Sequence, residues 1–489
     1  MEEGSAPEAG PSQPSPVERE WPRATRVLLG LCSVVLAAIA FTTVLAMPDL
    51  PYHAARDLEL RATYDAYRET GVPLVKENGT GSWYGTVPGT GLTRAAGDDD
   101  PGSYLVASWM SHVTGSASPY PGLIAFMAVL SALPWLLLPV TVARIFGRAR
   151  AGFAMLGLPL LVWFVNDSLL VGTEYGQSDL VAPVRVYALY GLPSAVIFLS
   201  LVLVAWFLTR RTTWRAALAM SVLLVGLASA DNLLRSMSGF GIAALIGFIW
   251  WAALRGRGRR VAVGVGAVTA GVGVALSSWV PGLVVDRIDE ERDQVISAET
   301  SQLPDAHGTW HPLYLGLSYP QPVTGEPSEF GVQWSDEWGW AKAREVDPDV
   351  VPASTEYDEI VRTFFLDAVR ARPWDAIGLY ADKLAYTLRH FAATLTFVVF
   401  AAVLLWRRRT RGGGAAARTA MITVPTLALG LVPPVLVMPM LYYYSELVAA
   451  LGFLTALALG GAVCALSGLP REGSTARTDV VLPGRHPIP

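Results

Sequence analysis

The chain is long, apolar and sparsely charged. Of its 489 residues, 52% are hydrophobic and 16% are charged, and the formal net charge at pH 7 is −4. A soluble domain usually carries about 25% charged residues. The composition therefore argues against an ordinary soluble protein and favours an integral membrane protein, for which no nucleic-acid partner is expected.

Further features of the sequence argue against a disulfide-rich protein, a zinc protein and a cleaved signal peptide. Cys32 and Cys464 both fall inside apolar segments, and the six histidines show no metal-ligand spacing. Neither a disulfide framework nor a structural zinc site is predicted. Residues 1–25 are rich in Pro, Glu, Ser and Gly, which is typical of a disordered tail. Because they lack the short basic region of a signal peptide, we interpret the apolar segment that follows as a retained helix.

Apolar runs of about 20 residues predict roughly ten membrane-spanning helices. They lie near 26–47, 121–146, 151–172, 187–208, 214–231, 238–255, 261–282, 389–406, 419–438 and 443–466. The run at 421–440 contains four prolines, so we expect it to be kinked or broken. The predicted fold is an all-α polytopic membrane protein.

Arginines are sorted into alternate connections between these spans. They occur at 144–150, 210–215, 255–260 and 407–411. The positive-inside rule places this side in the cytoplasm, so we expect a multi-pass protein of the cell (plasma) membrane with both termini cytoplasmic.

Two outer connections stand apart by their length, and they divide the chain into parts. We expect a transmembrane bundle at 26–282 with its first outer loop at 48–120, a large outer loop at 283–388, C-terminal transmembrane helices at 389–466 and a cytoplasmic tail at 467–489. The large loop has a helix-like segment of its own at 355–371. Long loops in compact proteins tend to be functional, so the two loops are expected to form a cap that carries the site.

The stretch after the first span, MPDLPYHAARDLELRATYDAYRETG, holds the candidate catalytic residues. If it is helical, Asp49, His53 and Asp57 share one stripe, whereas Glu59 and Arg61 point elsewhere and serve solvent or neighbouring loops. Two interpretations stay open. The stretch is either an interfacial helix with solvated charges, or it presents Asp49 or Asp57 as a catalytic carboxylate at the membrane surface.

Three adjacent aspartates, Asp98, Asp99 and Asp100, close the same loop ahead of a Pro-Gly pair. They fit a plain turn with a helix cap. Adjacent carboxylates can also attract a divalent cation such as Mg²⁺, Mn²⁺ or Ca²⁺. No residue is assigned as a metal ligand on this pattern.

Polar and ionisable residues also collect at the outer ends of later spans. Glu174 and Arg185 follow the third span, Asn232 and Arg235 follow the fifth, and Tyr443 precedes the last. Burying an ionisable group at membrane depth costs free energy, so such a residue indicates a functional site unless another reason for it is found. The guanidinium of Arg235 could hold a phosphate group in a bidentate way. The alternative is an interfacial arginine that pairs with lipid headgroups.

The large outer loop is rich in aromatic residues. Trp310, His311 and Asp336 stand in TWHPLYLGLSYP and QWSDEWGWAKA, with further tryptophans between them. Aromatic rings stack on the apolar faces of sugars while carboxylates bind the hydroxyl groups, so we expect a sugar-binding surface here. An aromatic belt at the membrane interface is the alternative.

Taken with the multi-helix layout, these segments resemble the GT-C class of membrane glycosyltransferases. The likeness rests on DLPYHAARDLE, DDPGSYLVASWMSHVTG, NLLRSMSGFG and the aromatic stretches of the large loop, and it covers most of residues 26–466. It implies inverting transfer of a sugar from a polyprenyl-phosphate donor to a glycan, lipid or protein acceptor on the outer face. The acid of the first loop corresponds to Asp57 with Glu59, or to Asp49, and we favour Asp57. Arg235, with Arg185 in reserve, would stabilise the leaving phosphate.

Two other classes remain as alternatives. The first is a transporter or flippase of lipid-linked molecules, and the second is a non-catalytic membrane scaffold. A transporter places its charged residues near the middle of the bilayer. In this sequence they gather at outer ends and in outer loops, which favours one-sided chemistry with the donor, the acceptor and membrane lipids as partners.

Overall fold

The computed structural model describes residues 21–46, 54–81, 91–95, 100–161, 180–181, 184–185, 191–210, 213–297, 308–407 and 413–467. Five residues singled out in the sequence lie outside these ranges: Asp49, His53, Asp98, Asp99 and Glu174. Most of the described chain is helical.

The first half of the described chain holds nine helices and two short antiparallel hairpins. In chain order they are α1 (Arg23–Leu45), α2 (Ala54–Thr70), β1 (Val75–Glu77), β2 (Leu92–Arg94), α3 (Gly102–Thr114), α4 (Tyr120–Phe146), α5 (Ala149–Phe153), β3 (Leu180–Val181), β4 (Val184–Arg185), α6 (Gly191–Leu208), α7 (Trp214–Leu234), α8 (Gly239–Leu254) and α9 (Arg259–Arg292). Val75 pairs with Arg94 in the first hairpin, and Leu180 pairs with Arg185 in the second.

The second half continues in the same all-helical style. Its helices are α10 (Trp310–Gly316), α11 (Gln321–Thr324), α12 (Asp336–Arg344), α13 (Thr355–Ala371), α14 (Pro373–His390), α15 (Ala392–Arg407), α16 (Gly413–Ala420), α17 (Thr423–Gly430), α18 (Val432–Leu436) and α19 (Ser445–Leu466). The helix predicted at 355–371 is confirmed as α13. The break predicted in the proline-rich run is also confirmed, because the chain there divides into α17 and α18.

The prediction of ten spans is too high. Among the described residues seven helices are long and apolar enough to cross a membrane, or eight if α14 and α15 count as one bent span. The seven are α1, α4, α6, α7, α9, the run Gly413–Leu436 and α19. The predicted span at 238–255 corresponds to the shorter apolar helix Gly239–Leu254. Of the predicted span at 151–172, residues up to 161 belong to the apolar helix Ala149–Leu161, and residues 162–172 lie outside the described residues. With 16 residues and a rise of about 1.5 Å each, α8 covers about 24 Å of the roughly 30 Å hydrocarbon layer.

The centre of the bundle is formed by α6 and α19, which are buried on nearly every side. Burial all round explains why their sequences are apolar all round rather than on one stripe. The outer helices α1, α9 and α15 instead expose large apolar side chains, among them Leu31, Val268 and Phe400. An apolar surface around a helical bundle is what a lipid bilayer covers, and the protein is therefore membrane-embedded.

The two ends of the bundle differ in chemistry. At one end, Arg148 Nη1 donates to the Cys464 carbonyl and Arg150 Nη1 to the Ser467 carbonyl, each at 3.2 Å. The Arg210 guanidinium lies 3.6 Å from the centre of the Trp206 ring near this end. At the other end lie α2, α3 and the β1–β2 hairpin, and we call this end the loop face. The assignment of the arginine-rich end to the cytoplasm stays a prediction.

Residues 308–371, comprising α10 to α13, form a helical subdomain with a core of its own around Tyr314, Leu315, Tyr357 and Val361. A buried lysine on α14 connects it to the bundle. Lys383 Nζ donates to the Gly316 carbonyl at 2.8 Å, at the end of α10, and to the Val437 carbonyl at 2.6 Å, just after α18. The subdomain is thereby attached at the loop face.

Candidate functional site

Helix α2 directs three neighbouring charged side chains to three different partners at the loop face. Asp57 lies in its first turn, where the helix dipole favours a carboxylate. Arg56 and Glu59, three residues apart, lie about 60° from each other around the helix, and Asp57 lies about 100° to 160° from them. Asp57 therefore points elsewhere, while Arg56 and Glu59 reach different partners one helical turn apart. The three environments decide which of these residues is available for chemistry.

Asp57 is held in place but remains partly exposed. Its Oδ1 accepts hydrogen bonds from Tyr120 Oη, at the start of α4, and from Arg61 Nε at 3.0 Å. The Arg61 guanidinium also lies 4.9 Å from the centre of the Tyr120 ring. The side chain of Asp57 is 20% exposed. The expectation that Arg61 points away from Asp57 is wrong, because the two lie one helical turn apart and pair.

Glu59 has a different environment from Asp57. Its Oε2 lies 2.9 Å from Lys76 Nζ on β1, and both side chains are 0% exposed. Gly81 closes over the pair, since a Cβ there would lie 2.2 Å from Glu59 Oε2. Of the two expected surroundings of Glu59, solvent and a neighbouring loop, the structure shows the loop, since Lys76 lies on the hairpin of the first predicted outer loop. The geometry is that of an anchor joining α2 to the hairpin, rather than of a carboxylate that meets a substrate.

Arg56 joins α2 to α3 and α7. Its Nη1 lies 2.8 Å from Asp100 Oδ2, and Asp100 Oδ1 accepts from the Ser236 backbone N–H at 2.9 Å. Gly102 packs so closely on α7 that a Cβ would lie 2.6 Å from the Leu233 carbonyl carbon. Both oxygens of Asp100, the one described member of the aspartate triplet, are thus already in contact with protein groups.

A buried carboxylate, Asp231, lies at the end of α7 beside this contact. It is fully buried, and its Oδ2 accepts from Ser238 Oγ at 2.7 Å. Its Oδ1 has no hydrogen-bond partner among the described residues. The sequence signal for this group was an aspartate inside an otherwise apolar run, which is costly at membrane depth.

Arg235 lies next along the chain and faces the start of α19. Its Nε is 3.8 Å from Glu446 Oε1, and its Nη1 donates to the Tyr442 carbonyl. Its guanidinium lies 5.2 Å from the centre of the Tyr443 ring. Arg235 and Tyr443, both expected at the site, are therefore brought together. Glu446 is also buried, and its Oε2 has no hydrogen-bond partner in the part of the chain that the structure describes.

These groups form one buried charge cluster, which we define as Arg56, Asp100, Asp231, Arg235 and Glu446. Two guanidinium groups face three carboxyl groups. Buried charges are tolerated only when they are paired. Because the cluster has one more carboxyl group than it has cations, removing either arginine should destabilise the bundle. The sequence does not indicate that Glu446 approaches Arg235, because the two residues are 211 positions apart.

Asn232 is used to hold neighbouring helices. Its Nδ2 donates to the Ser277 carbonyl on α9 at 2.9 Å, and its Oδ1 accepts from the Gly239 N–H on α8 at 2.8 Å. Arg185 ends strand β4, and its side chain lies outside what the structure describes. Asn232 therefore joins α7 to α8 and α9, and it makes no hydrogen bond to Asp57 in the described part of the chain.

The aromatic residues of the large loop mainly build the helical subdomain. His311 is buried, with Nδ1 2.5 Å from Tyr357 Oη and Nε2 3.1 Å from Asp336 Oδ1. Asp336 is 47% exposed, so the hydrogen-bonded row Tyr357–His311–Asp336 reaches solvent at Asp336. Trp310 packs on Phe365 with ring centres 5.7 Å apart. The expected sugar-stacking surface is thus largely used as packing surface.

Burial also changes the acid–base behaviour of this subdomain. It raises the pKa of Tyr314 to about 12. Burial, followed by the charges of Asp336 and Asp358, raises the pKa of the Tyr357 hydroxyl far above its ordinary value. Both phenols therefore stay protonated at neutral pH, and Tyr357 acts as a hydrogen-bonding group rather than as a nucleophile.

The described residues contain no group of three or more His, Cys, Asp or Glu side chains placed to hold a metal ion. No protein-family model, curated protein or solved structure matches the chain. The resemblance to GT-C glycosyltransferases therefore rests on the sequence segments alone.

Proposed function

We propose that the protein is an inverting membrane glycosyltransferase of the GT-C type. It transfers a sugar from a polyprenyl-phosphate donor to a glycan, lipid or protein acceptor at the loop face. We place this face outside the cell membrane, with both termini in the cytoplasm. The observation that carries the proposal is the Asp57 carboxylate, which is oriented by Tyr120 and Arg61 and stays accessible where α1 leaves the bundle.

In this proposal Asp57 is the general base. Both of its contacts are made through Oδ1, and its Oδ2 has no partner among the described residues. We assign Oδ2 to the hydroxyl group of the acceptor. As the acceptor oxygen bonds to the anomeric carbon, the bond from that carbon to the phosphate oxygen breaks, the phosphate leaves with the electron pair, and Asp57 takes the hydroxyl proton. General-base catalysis of this kind contributes about 10²–10⁴-fold to the rate.

The leaving phosphate requires a fixed positive charge nearby. Arg235 is the cation we propose, because Glu446 and the Tyr442 carbonyl hold its guanidinium in one orientation. Charge that is already oriented needs no rearrangement during the reaction, and one such donor is worth about 3–4 kcal/mol in the enzymes where it has been measured.

Asp100, the described member of the aspartate triplet, is not placed to hold a divalent cation. Asp100 already contacts Arg56 and the Ser236 N–H through its two oxygens. An arginine at 2.8 Å from a carboxylate competes with a metal ion for the same oxygen. We therefore derive no step through a metal, and the energy for the transfer comes from the sugar–phosphate bond of the donor.

The test uses the full-length protein purified into nanodiscs. Labelled polyprenyl-phosphate sugars from a lipid extract are supplied with candidate acceptors, and both free polyprenyl phosphate and new glycoside are measured. The proposal expects the two products to appear in equal amounts.

Two outcomes would contradict the proposal. Movement of intact donor between leaflets of proteoliposomes, without cleavage of the sugar–phosphate bond, would identify a flippase. A donor that is neither cleaved nor moved would leave the scaffold as the better description.

A further inference from the structure

Helix α14 (Pro373–His390) has two contrasting faces. One face is buried against the protein through Ala376, Leu379, Lys383 and Thr387, which recur at intervals of three and four residues. Lys383 fixes this face through the Gly316 and Val437 carbonyls. The orientation of the helix about its own axis is therefore set by the protein.

The exposed face carries large apolar side chains. Trp374, Ile377, Leu384 and Leu388 are all exposed, and Trp374 is 79% exposed. Their spacing of three, seven and four residues places them on one line along the helix. We call these four residues the apolar stripe. A stripe of this size is seldom left open to water, because large exposed apolar patches mark sites of contact.

Exposed charged residues run along one side of the apolar stripe. Asp375, Asp382 and Arg389 are exposed and recur every seven residues. On a helical projection their mean direction lies about 125° from that of the stripe. The exposed half of α14 is thus divided lengthwise into an apolar strip and a charged strip. A helix that lies in the plane of a membrane surface needs this division, with one side in lipid and the other in water.

The neighbouring helix shows which medium covers the stripe. Helix α15 bends away from α14 by 68°, and it exposes Val399, Phe400 and Val403. These side chains face outward from an apolar helix of a membrane-embedded bundle, so lipid covers them. Only Phe391 separates α14 from α15, and a bend of 68° turns α14 toward the membrane plane when α15 crosses the bilayer.

We propose that α14 lies in the membrane interface at the loop face, with the apolar stripe in the acyl-chain region and the charged strip toward water. Because Lys383 attaches α14 to both the helical subdomain and α18, the bilayer holds that subdomain over the loop face. The partner of this surface is the lipid bilayer. This inference is independent of the chemistry proposed for Asp57.

Spin labelling tests the proposal directly, because the two native cysteines are both buried and can be replaced by alanine. Single cysteines are then introduced at four stripe positions and two flanking positions: Trp374→Cys, Ile377→Cys, Leu384→Cys, Leu388→Cys, Asp375→Cys and Asp382→Cys. The labelled full-length protein is placed in nanodiscs at one copy per disc. Its accessibility to lipid-soluble oxygen and to a water-soluble nickel chelate is measured by power saturation.

The proposal expects oxygen to be the better relaxant at all four stripe positions and the nickel chelate to be better at both flanking positions. Asp375 and Trp374 form the sharpest pair, since they are adjacent in sequence and differ only in direction. A nickel-dominated signal at the stripe would overturn the proposal. Dipolar broadening between stripe labels in discs loaded with two copies, together with low oxygen access, would assign the stripe to a second copy of the chain instead.

Discussion

The buried ion pair between Glu59 and Lys76 offers the sharpest test of how α2 is positioned. Lys76→Met removes the cation while keeping an apolar side chain of similar length. Both partners are 0% exposed and lie 2.9 Å apart, so the variant leaves a buried carboxylate without the lysine charge that faces it. Breaking one side of such a pair costs about 3–5 kcal/mol.

The double variant is the matched control. Glu59→Gln combined with Lys76→Met removes both charges, and replacing a whole buried pair by neutral groups is often close to neutral in stability. We therefore expect Lys76→Met to destabilise the contact between α2 and β1, and the double variant to recover most of the loss.

Hydrogen exchange of the protein in nanodiscs measures this effect locally. A loss of about 3 kcal/mol raises the opening equilibrium roughly 150-fold, because 1.36 kcal/mol corresponds to a factor of ten. Amides of α2 and β1 should exchange faster by at least that order in Lys76→Met and near the parent rate in the double variant. Unchanged protection in Lys76→Met, or equal losses in both variants, would refute the assignment of the pair as an anchor.

Three further predictions concern the packing around the site. Gly102→Ala should lower the free energy of unfolding by about 1–3 kcal/mol, because the added Cβ would meet the α7 backbone. Gly226→Ala is the control, since there is open space around Gly226 and no loss is expected. Thermal unfolding of the two variants measures the difference, and equal stabilities would contradict the close packing of α3 on α7. Arg235→Gln should destabilise the bundle by about 3 kcal/mol or more by leaving Glu446 without its cation, and adding Glu446→Gln should restore thermal stability. The pKa of Tyr357 is raised in the folded state, so folding favours the protonated phenol. Its contribution to stability is complete below pH 10 and is lost as the pH rises above it. Tyr357→Phe should therefore flatten the alkaline decline in the free energy of unfolding measured by a pH titration, and an unchanged decline would contradict a buried, protonated Tyr357.

The sequence predicted the elements whose signals are local. The segment at 355–371 has capping and periodicity within a single stretch, and α13 has those same bounds. The broken run at 421–440 follows from prolines that remove helix hydrogen bonds wherever they stand. Arg148, Arg150 and Arg210, from two of the predicted basic connections, lie at one end of the bundle.

The parts that the sequence did not predict depend on distant contacts. Nothing near Glu59 indicates that Lys76, 17 residues later, removes it from solvent. Asp231, Arg235 and Glu446 meet only because α7 and α19 end at the same face. The tryptophans of the large loop illustrate a different difficulty, since aromatic and polar residues alternate in the same way in a ligand surface and in the core of a small subdomain. The span predicted at 238–255 was overestimated because hydropathy measures apolarity, whereas crossing also requires length, and α8 has only 16 residues.

The central claim is that Asp57 is the base of a sugar transfer, and one comparison tests it most directly. Asp57→Asn and Asp65→Asn remove a carboxylate from the same helix two turns apart, and Asp65 is exposed. Initial rates of sugar transfer from labelled polyprenyl-phosphate donor are measured for both in nanodiscs, with hydrogen exchange of α2 as the folding control. We expect Asp57→Asn to lose about 10²–10⁴-fold in rate with α2 intact, and Asp65→Asn to keep the parent rate. Transfer by Asp57→Asn at the parent rate would contradict the claim.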